Sequence, residues 1–309
     1  MSKKMTTVLK EGIGNHMVLA CGIWDAYSAR LSEMAGFEAV HLSGWAHETT
    51  KIGRPDLGIQ TLTELVMTAA RITDTVNIPV MVDVDTGYGG VLNVQRTIRE
   101  MERAGVAGVH IEDQIVPKRC PTLGGSVCVS TQDAVDRVKA AVDARTDTDF
   151  VISARTDYGY DGFDALIDRC NRFLDAGATM AMPDYLFISD RKPYFSMEPD
   201  EQMELRREVN TAIKGPVMDL GCPPPKGYTN KDLEDAGIAF HMYAGEAVYA
   251  YSNAVYEMMR TIIETGNVNT YFEEHPGKFS GDWGITIQKA VYLDECEKFS
   301  QEHLHDCKL

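Results

Sequence analysis

Short apolar runs, several rich in β-branched residues, alternate along the chain with longer stretches in which apolar residues recur every three or four positions. The runs at residues 18–21, 39–42, 80–84, 109–112, 150–154, 180–182, 217–220 and 240–243 read as eight strands. Most are continuously apolar rather than alternating, the pattern of strands covered on both faces in a parallel sheet. Residues 26–35, 91–104, 131–143, 164–176 and 233–236 read as helices between them, with Ser130 as N-cap of the 131–143 helix. Four of these helices run into the same punctuation: Ala35-Gly36, Ala104-Gly105, Ala176-Gly177 and Ala236-Gly237. Glycine at that place readily takes the left-handed conformation that closes a helix.

Eight strands with intervening helices predict an α/β chain folded as a (β/α)₈ TIM-type barrel. An open doubly wound sheet is the competitor, but no G-x-G-x-x-G follows the first strand. Beyond the eighth strand, 246–265 reads as a long helix, 266–284 as polar and irregular, and 285–303 as a last helix. The division expected is a barrel domain over 1–265 and a C-terminal helical arm over 266–309. The pattern leaves open whether the arm packs on its own barrel or on a neighbouring one.

A length of 309 residues suits one such barrel with insertions, and an apolar fraction of 44% suits a large core. The formal net charge of -16 opposes binding to nucleic acid or to anionic membranes, and no dense basic run exists to reverse that. It also means that an anionic substrate needs local cations or a metal. The N-terminus lacks the apolar stretch of a signal peptide, and no run of about 18 apolar residues suggests a membrane span. Seven cysteines are scattered with no C-x₂-C pair, against a disulfide framework or structural zinc. The expectation is a reducing, cytoplasmic compartment.

In a barrel of this kind reactive residues lie at the C-terminal strand ends. The third strand ends in Asp83-Val84-Asp85-Thr86-Gly87-Tyr88-Gly89-Gly90, and the fourth in His110-Ile111-Glu112-Asp113-Gln114. Carboxylates at i and i+2 of a strand share a side. Burying them together is costly without a cation. Asp83, Asp85 and Glu112 therefore predict a hard divalent ion, Mg²⁺ or Mn²⁺, with water and substrate completing its shell. The alternative is that these acids form ion pairs or cap helices. Arg155 ends the fifth strand and is placed either to grip a substrate carboxylate or to pair with Asp157 or Glu112. In the loop after the fourth strand, Lys118 and Arg119 flank Cys120, which predicts a lowered thiol pKa and an acid–base role under a mobile glycine-bearing lid. An exposed basic loop with an incidental cysteine is the alternative.

The chain resembles the isocitrate lyase / phosphoenolpyruvate mutase superfamily, and most of all its 2-methylisocitrate lyase-like branch. The resemblance rests on Trp24-Asp25-Ala26-Tyr27-Ser28-Ala29, Ser43-Gly44, Pro55-Asp56-Leu57-Gly58, Asp83-x-Asp85-Thr86-Gly87-Tyr88-Gly89, His110-Ile111-Glu112-Asp113-Gln114, Pro117-Lys118-Arg119-Cys120 and Ala154-Arg155-Thr156-Asp157, in family order. It implies a barrel whose eighth helix is exchanged between paired subunits, in a homotetramer built as a dimer of dimers. It implies Mg²⁺ or Mn²⁺ near Asp85, with Asp56, Asp83 and Glu112 contributing directly or through water. It implies a pyruvyl or enolate group gripped by Ser43, Gly44, Trp45 and Arg155, with Tyr27 near the oxyanion and Cys120 delivering a proton.

The departures lie in the other half of the site. Lyases of the family continue the loop as Cys-Gly-His, whereas here it is Cys120-Pro121-Thr122. Asp184 stands after the sixth strand, among the substrate contacts, where the family usually has Glu. Leu220 and Pro223 replace polar residues after the seventh. The reading that follows is a Mg²⁺-dependent carbon–carbon lyase acting on a small carboxylate, a substituted 2-hydroxy acid of the alkylmalate or methylisocitrate kind. Rivals are a phosphonopyruvate-type mutase or hydrolase, an oxaloacetate decarboxylase or hydrolase, and a barrel that binds a metabolite without turnover.

Overall fold

The structure, a computed structural model, describes residues 3–279 and 284–303. Eight parallel strands close into a barrel in chain order: β1 Val18–Ile23, β2 Ala39–Leu42, β3 Val80–Asp83, β4 Gly108–Glu112, β5 Val151–Thr156, β6 Met180–Pro183, β7 Val217–Met218 and β8 Ile238–Tyr243. β8 pairs back onto β1. Each strand lies where an apolar run predicted it, and nearly every strand residue is buried, as expected of a sheet covered on both faces.

The largest difference is β7, two residues long where four were expected. Its pairing with β8 shifts register at Val217/Met218. Asp219 then leaves the strand direction, its N–H on Phe240 O at 2.8 Å and its carboxylate on the Tyr185 hydroxyl and the His241 ring.

The helices are α1 Met5–Asn15, α2 Ala26–Ala35, α3 Gly44–His47, α4 Leu62–Thr75, α5 Val91–Arg103, α6 Thr131–Ala144, α7 Phe163–Asp175, α8 Pro199–Ala212 and α9 Asn230–Asp235. A π-helical turn, Glu48–Ile52, continues α3. Gly36, Gly105, Gly177 and Gly237 all have φ between 81° and 98°, the left-handed closure that the repeated Ala-Gly predicted. Four helices were not anticipated: α1, α3, α4 and α8. The signal for α4 was present, because Thr61 and Glu64 form a capping box and Leu65, Ala69 and Ile72 form a buried stripe. Full burial of a leucine or isoleucine contributes about 1.5–3 kcal/mol, which binds α4 to the barrel and fixes the loop that precedes it.

The chain divides into two compact units, Met1–Gly245 and Glu246–Leu309. The boundary expected at 265/266 thus falls at 245/246, and the long helix α10, Glu246–Thr265, groups with the arm. The stretch expected to be irregular contains α11, Asn269–Glu274, while its residues 280–283 lie outside the described ones. The single terminal helix expected over 285–303 is two, α12 Ile285–Ala290 and α13 Leu293–His303. Tyr292, with φ of 68°, lies between them.

Candidate active site

Strand register assembles the site. Asp83, the last residue of β3, lies opposite His110, and Glu112, the last of β4, lies opposite Arg155 of β5. Asp85 is already outside β3, with a left-handed φ of 46° and its N–H on Asp83 Oδ1 at 3.0 Å. The two aspartates therefore meet through a turn and not through strand alternation. That turn also holds Tyr88 at φ 62°, unusual for a bulky side chain, with its hydroxyl buried and without a hydrogen-bond partner. Gly44, just past β2, leaves room for both acids: a Cβ there would meet Asp83 Oδ2 at 2.8 Å and Asp85 Oδ1 at 3.4 Å.

Lys118 enters from the loop after β4. Its ammonium contacts the Asp56 carboxylate and lies 2.8 Å from Asp85 Oδ1, and all three side chains are about 95% buried. Arg155 directs Nε and Nη2 to the Asp157 carboxylate at 2.9 and 3.2 Å and Nη1 towards Glu112 at 3.5 Å. The pairing with Asp157 and Glu112 that stood as the alternative for this residue is thus present. Asp56, Asp83, Asp85, Glu112 and Asp157 are five buried carboxylates facing two cations.

Burial first, and this excess after it, set the protonation of the cluster. Burial pushes Asp85 up to about 6, against the pull of Lys118 and with the push of Asp83. Burial also moves Glu112 well above its usual range, Arg155 opposing. Asp83 goes the other way: burial would raise it, but His110, Lys118 and His41 outweigh burial and hold it well below the usual carboxylate range. Burial opposes the charge on Lys118, yet Asp85, Glu112, Asp83 and Asp56 together raise its pKa well above the usual value.

Cys120 corrects an expectation. Its thiol pKa is raised, not lowered, because burial dominates and Asp56 adds to it, while the 3.2 Å contact with the Thr122 hydroxyl opposes. The flanking cations do not reverse this. Lys118 is committed to the carboxylates, and Arg119 is exposed, tied to Gln114 only through its backbone N–H and carbonyl. At neutral pH Cys120 is a thiol, not a thiolate.

The remaining predicted residues sit on the same rim. Tyr27 is in the first turn of α2, behind β1, and 36% exposed. Ser43 caps α3, accepting the Ala46 N–H at 3.3 Å, and Trp45 is half-buried. Asp184 follows β6 and accepts the Leu186 N–H at 2.8 Å. Burial, reinforced by Asp157 and opposed by Arg155, raises its pKa to about 7.

Several contributors were missed. Glu48, fully buried, accepts the N–H groups of Leu57, Ile59 and Gln60 at 3.0, 2.6 and 2.8 Å and so pins the loop carrying Asp56. No spacing rule links residue 48 to residue 60. His41 and His110 offered a fainter signal, being lone polar residues inside apolar strands. Their rings join at 2.9 Å, and His110 Nε2 lies 2.9 Å from Asp83 Oδ1, off the axis of a well-aligned hydrogen bond.

Glu112 Oε1 is buried and accepts no hydrogen bond, and Asp85 Oδ1 has the Lys118 ammonium at 2.8 Å; oxygens of this kind suit a hard cation that would take the place of the ammonium. Among the described residues, no three carboxylate, imidazole or thiol side chains are grouped closely enough to hold a metal as they stand.

The sequence profile of the phosphoenolpyruvate phosphomutase family matches residues 9–263. An isocitrate lyase of Haloferax volcanii is 45% identical over 252 residues, covering 80% of this chain and 72% of that one. A 2-methylisocitrate lyase of Shewanella oneidensis is 36% identical over 247 residues, 80% of each. Among solved structures, a 2,3-dimethylmalate lyase described as a PEP mutase/isocitrate lyase superfamily member superposes with a TM-score of 0.84 at 28% identity, covering 100% of this chain and 99% of that one. A phosphonopyruvate hydrolase solved with oxalate and Mg²⁺ shares the fold, with a TM-score of 0.78 at 22% identity over 98% and 99%. The chain belongs to the phosphoenolpyruvate phosphomutase family and, within the PEP mutase/isocitrate lyase superfamily, is an enzyme of the lyase kind.

Proposed function

We propose that the chain cleaves the carbon–carbon bond of a substituted 2-hydroxy acid, releasing a 2-oxo acid and an enolate-like fragment that is then protonated. The observation that carries this reading is the surplus of buried carboxylate at the mouth of the barrel, where among the described residues Lys118 is the only ammonium beside Asp56 and Asp85 and Glu112 Oε1 has no hydrogen-bond partner. Such a surplus is costly unless a cation completes it. Asp85, Asp83 and Glu112, with Asp56 near them, would hold Mg²⁺ or Mn²⁺. When bound, the ion would supply positive charge to the substrate's oxygens as negative charge develops there.

The chain's own residues supply the rest. The C2 hydroxyl of the substrate would pass its proton to a carboxylate of the mouth, for which Asp184, raised by burial to about 7, is suited; its oxygen becomes the carbonyl of the 2-oxo acid, and the C2–C3 bonding pair leaves on C3. The departing carbon's carboxylate spreads that charge. The guanidinium of Arg155, oriented by Asp157, would face the oxo-acid end beside Ser43, Gly44 and Trp45, with Tyr27 on the rim; the Ser43 N–H itself is bonded to Ile23 O at 3.2 Å and the Gly44 N–H to Asp83 Oδ2 at 3.3 Å. Cys120, held as a thiol, returns a proton to the departing carbon.

The wall at β6–β8 supports an apolar branch on the substrate. Leu220 belongs to the same buried apolar cluster as Tyr185, Leu186 and Met242. Arg206 is occupied by the Tyr194 hydroxyl and the carbonyls of Cys222 and Pro223, and Asp219 by Tyr185 and His241. An alkylmalate suits this wall better than an acid with a further carboxylate there. A panel of alkylmalates assayed with and without EDTA tests the reading. Turnover of at least one, lost on chelation and restored by Mg²⁺, is expected. Metal-independent turnover, or none with any 2-hydroxy acid, counts against it.

The arm 246–309 is read as the element exchanged between paired subunits of a tetramer. α10 supports this with Tyr249, Tyr251, Tyr256, Met259 and Ile263 all more than half exposed within a 20-residue helix. A monomer by light scattering would overturn it. No helix among the described residues is long and apolar enough to cross a membrane. No disulfide joins the six described cysteines, and the setting is read as reducing and cytoplasmic from their scattered spacing in the sequence.

A further inference from the structure

A line of hydrogen bonds reaches Asp85 from the α3–α4 side. The side-chain amide nitrogen of Gln60 lies 3.3 Å from Asp85 Oδ2. Gln60 Oε1 lies 2.8 Å from Nδ1 of His47, and Nε2 of His47 lies 2.9 Å from the Thr68 hydroxyl on α4. Gln60 is 3% exposed and His47 1%, so water does not compete for these bonds.

The ends of the line fix its polarity. An ionised carboxylate only accepts, so the Gln60 NH₂ faces Asp85 and its carbonyl faces His47. His47 must then donate from Nδ1, which leaves Nε2 to accept from Thr68 in the neutral ring. Burial lowers the pKa of His47 and agrees with that neutral form. The backbone N–H of Gln60 is held in turn by Glu48 Oε1 at 2.8 Å. Gln60 is thus fixed at backbone and side chain alike.

Asp85 consequently presents its two oxygens unequally. Oδ2 is taken by the neutral amide of Gln60, whereas Oδ1 is ion-paired with the ammonium of Lys118 at 2.8 Å, the place a divalent ion would take over. We infer that His47 and Gln60 are positioning residues that hold Asp85 as a one-oxygen ligand and thereby set the preference of the site for Mg²⁺ or Mn²⁺ over Ca²⁺. The small ion takes six ligands in near-ideal octahedral geometry, one oxygen from each carboxylate. The larger one takes six to eight and often both oxygens of a carboxylate. A carboxylate whose second oxygen is occupied serves the first and handicaps the second. The inference rests on the divalent-site reading proposed above.

Calorimetric titration of the metal-free, full-length protein with Mg²⁺, Mn²⁺ and Ca²⁺, without substrate, tests it. The unaltered protein should bind Mg²⁺ and Mn²⁺ more tightly than Ca²⁺. Gln60→Met and His47→Leu should weaken Mg²⁺ by roughly 10-fold or more, the scale of outer-shell effects on metal affinity. Ca²⁺ should hold or gain, so that the ratio of the two affinities collapses. His47→Asn, which keeps a donor near the place of Nδ1, should restore most of the ratio. A merely structural role would weaken every ion together and would not be rescued. Should His47→Leu fail to fold, Gln60→Met decides alone. An unchanged Mg²⁺:Ca²⁺ ratio in Gln60→Met overturns the inference while sparing the metal site. No divalent binding by the unaltered protein overturns the metal reading itself and the inference with it.

Discussion

Replacing Lys118 by Met removes the ammonium and keeps most of the volume of the side-chain stem. In metal-free protein, Asp56 and Asp85 then lose their nearest cation while Asp83 and Glu112 stay buried beside them. Side chains at 5–6% exposure are little screened by solvent, and removal of one partner from such a buried pair costs about 3–5 kcal/mol. Proton uptake relieves part of this. Asp85 already titrates at about 6 with Lys118 in place, and without it the carboxylate neutralises more readily. A net loss of about 2–4 kcal/mol at neutral pH follows, shrinking towards the lower end near pH 6, where the acid is increasingly protonated. For a barrel of this size about 2–4 °C of Tm accompanies each kcal/mol, so a fall of roughly 4–16 °C is expected in EDTA.

Divalent ion should reverse the loss. An ion at a hundred times its Kd stabilises by about 2.7 kcal/mol, and in the variant it has no ammonium to displace. Thermal unfolding followed by circular dichroism, in EDTA and in millimolar Mg²⁺, reads both effects. If Lys118→Met melts with the unaltered protein in EDTA, the carboxylates are not held ionised by this lysine. If Mg²⁺ stabilises the variant no more than the unaltered protein, cation and ammonium do not share a place, and the metal assignment fails.

Three further outcomes are expected. Cys120→Ser should cut lyase turnover by about 10²–10⁴-fold, the usual scale of a lost general acid. A mutase or hydrolase that needs no such proton would largely keep its rate, so steady-state kinetics on alkylmalates and on phosphonopyruvate separate the classes. Gly44→Ala puts a methyl 2.8 Å from Asp83 Oδ2, so that carboxylate must move. Divalent affinity by calorimetry should fall roughly 10-fold or more, with only a small change in melting; an unaltered affinity would show that Asp83 is not part of the ion's surroundings. For Asp219, burial would raise the pKa, but Arg206, His241 and Tyr185 prevail and lower it to about 2 from 3.8. A lowered folded-state pKa gives stability that is present above the unfolded value and is lost as pH falls through the folded one. About 2 kcal/mol should therefore disappear between about pH 4 and about pH 2, and urea midpoints of Asp219→Asn should lack that share of the acid slope.

The barrel was legible because its signals are local and repeated. Continuous apolar runs mark strands buried on two faces, and Ala-Gly marks four helix ends where only a left-handed residue fits. Where the signal was long-range, reading failed. β7 is short because a register shift against β8 and the side-chain partners of Asp219 end it, and neither can be seen in residues 217–220 alone. The acids at strand ends were legible by position, since Asp83, Glu112 and Arg155 follow from register. Their partners were not. Lys118 was read by its neighbours in sequence, Arg119 and Cys120, whereas its ammonium belongs in space to Asp56 and Asp85, 62 and 33 positions away. The direction of the Cys120 shift was wrong for the same reason, since a flanking cation lowers a thiol's pKa only when its charge is not spent elsewhere.

Outside the mouth the chain obeys its local rules: apolar strands inside, capped amphipathic helices outside, glycine at the helix ends. At the mouth it breaks them together. Asp85 and Tyr88 take left-handed backbone, each at a cost of about 1–3 kcal/mol, and five carboxylates are buried against two cations. A site selected only for stability would have replaced these acids by apolar residues of similar volume, which is often neutral or favourable. Their persistence has a physical use. A reaction that gathers negative charge on a bound fragment needs its counter-charge in place beforehand, because dipoles and ions reorganised during the reaction raise the barrier. The acids create the demand for that positive charge. Lys118 meets part of it in the chain alone and keeps Asp56 and Asp85 spaced before any ligand arrives. Glu48 and Gln60 keep the loop and the carboxylate from relaxing towards a cheaper arrangement. The strain at the mouth and the quiet regularity of the barrel beneath it are then one design, in which the second holds the first in place.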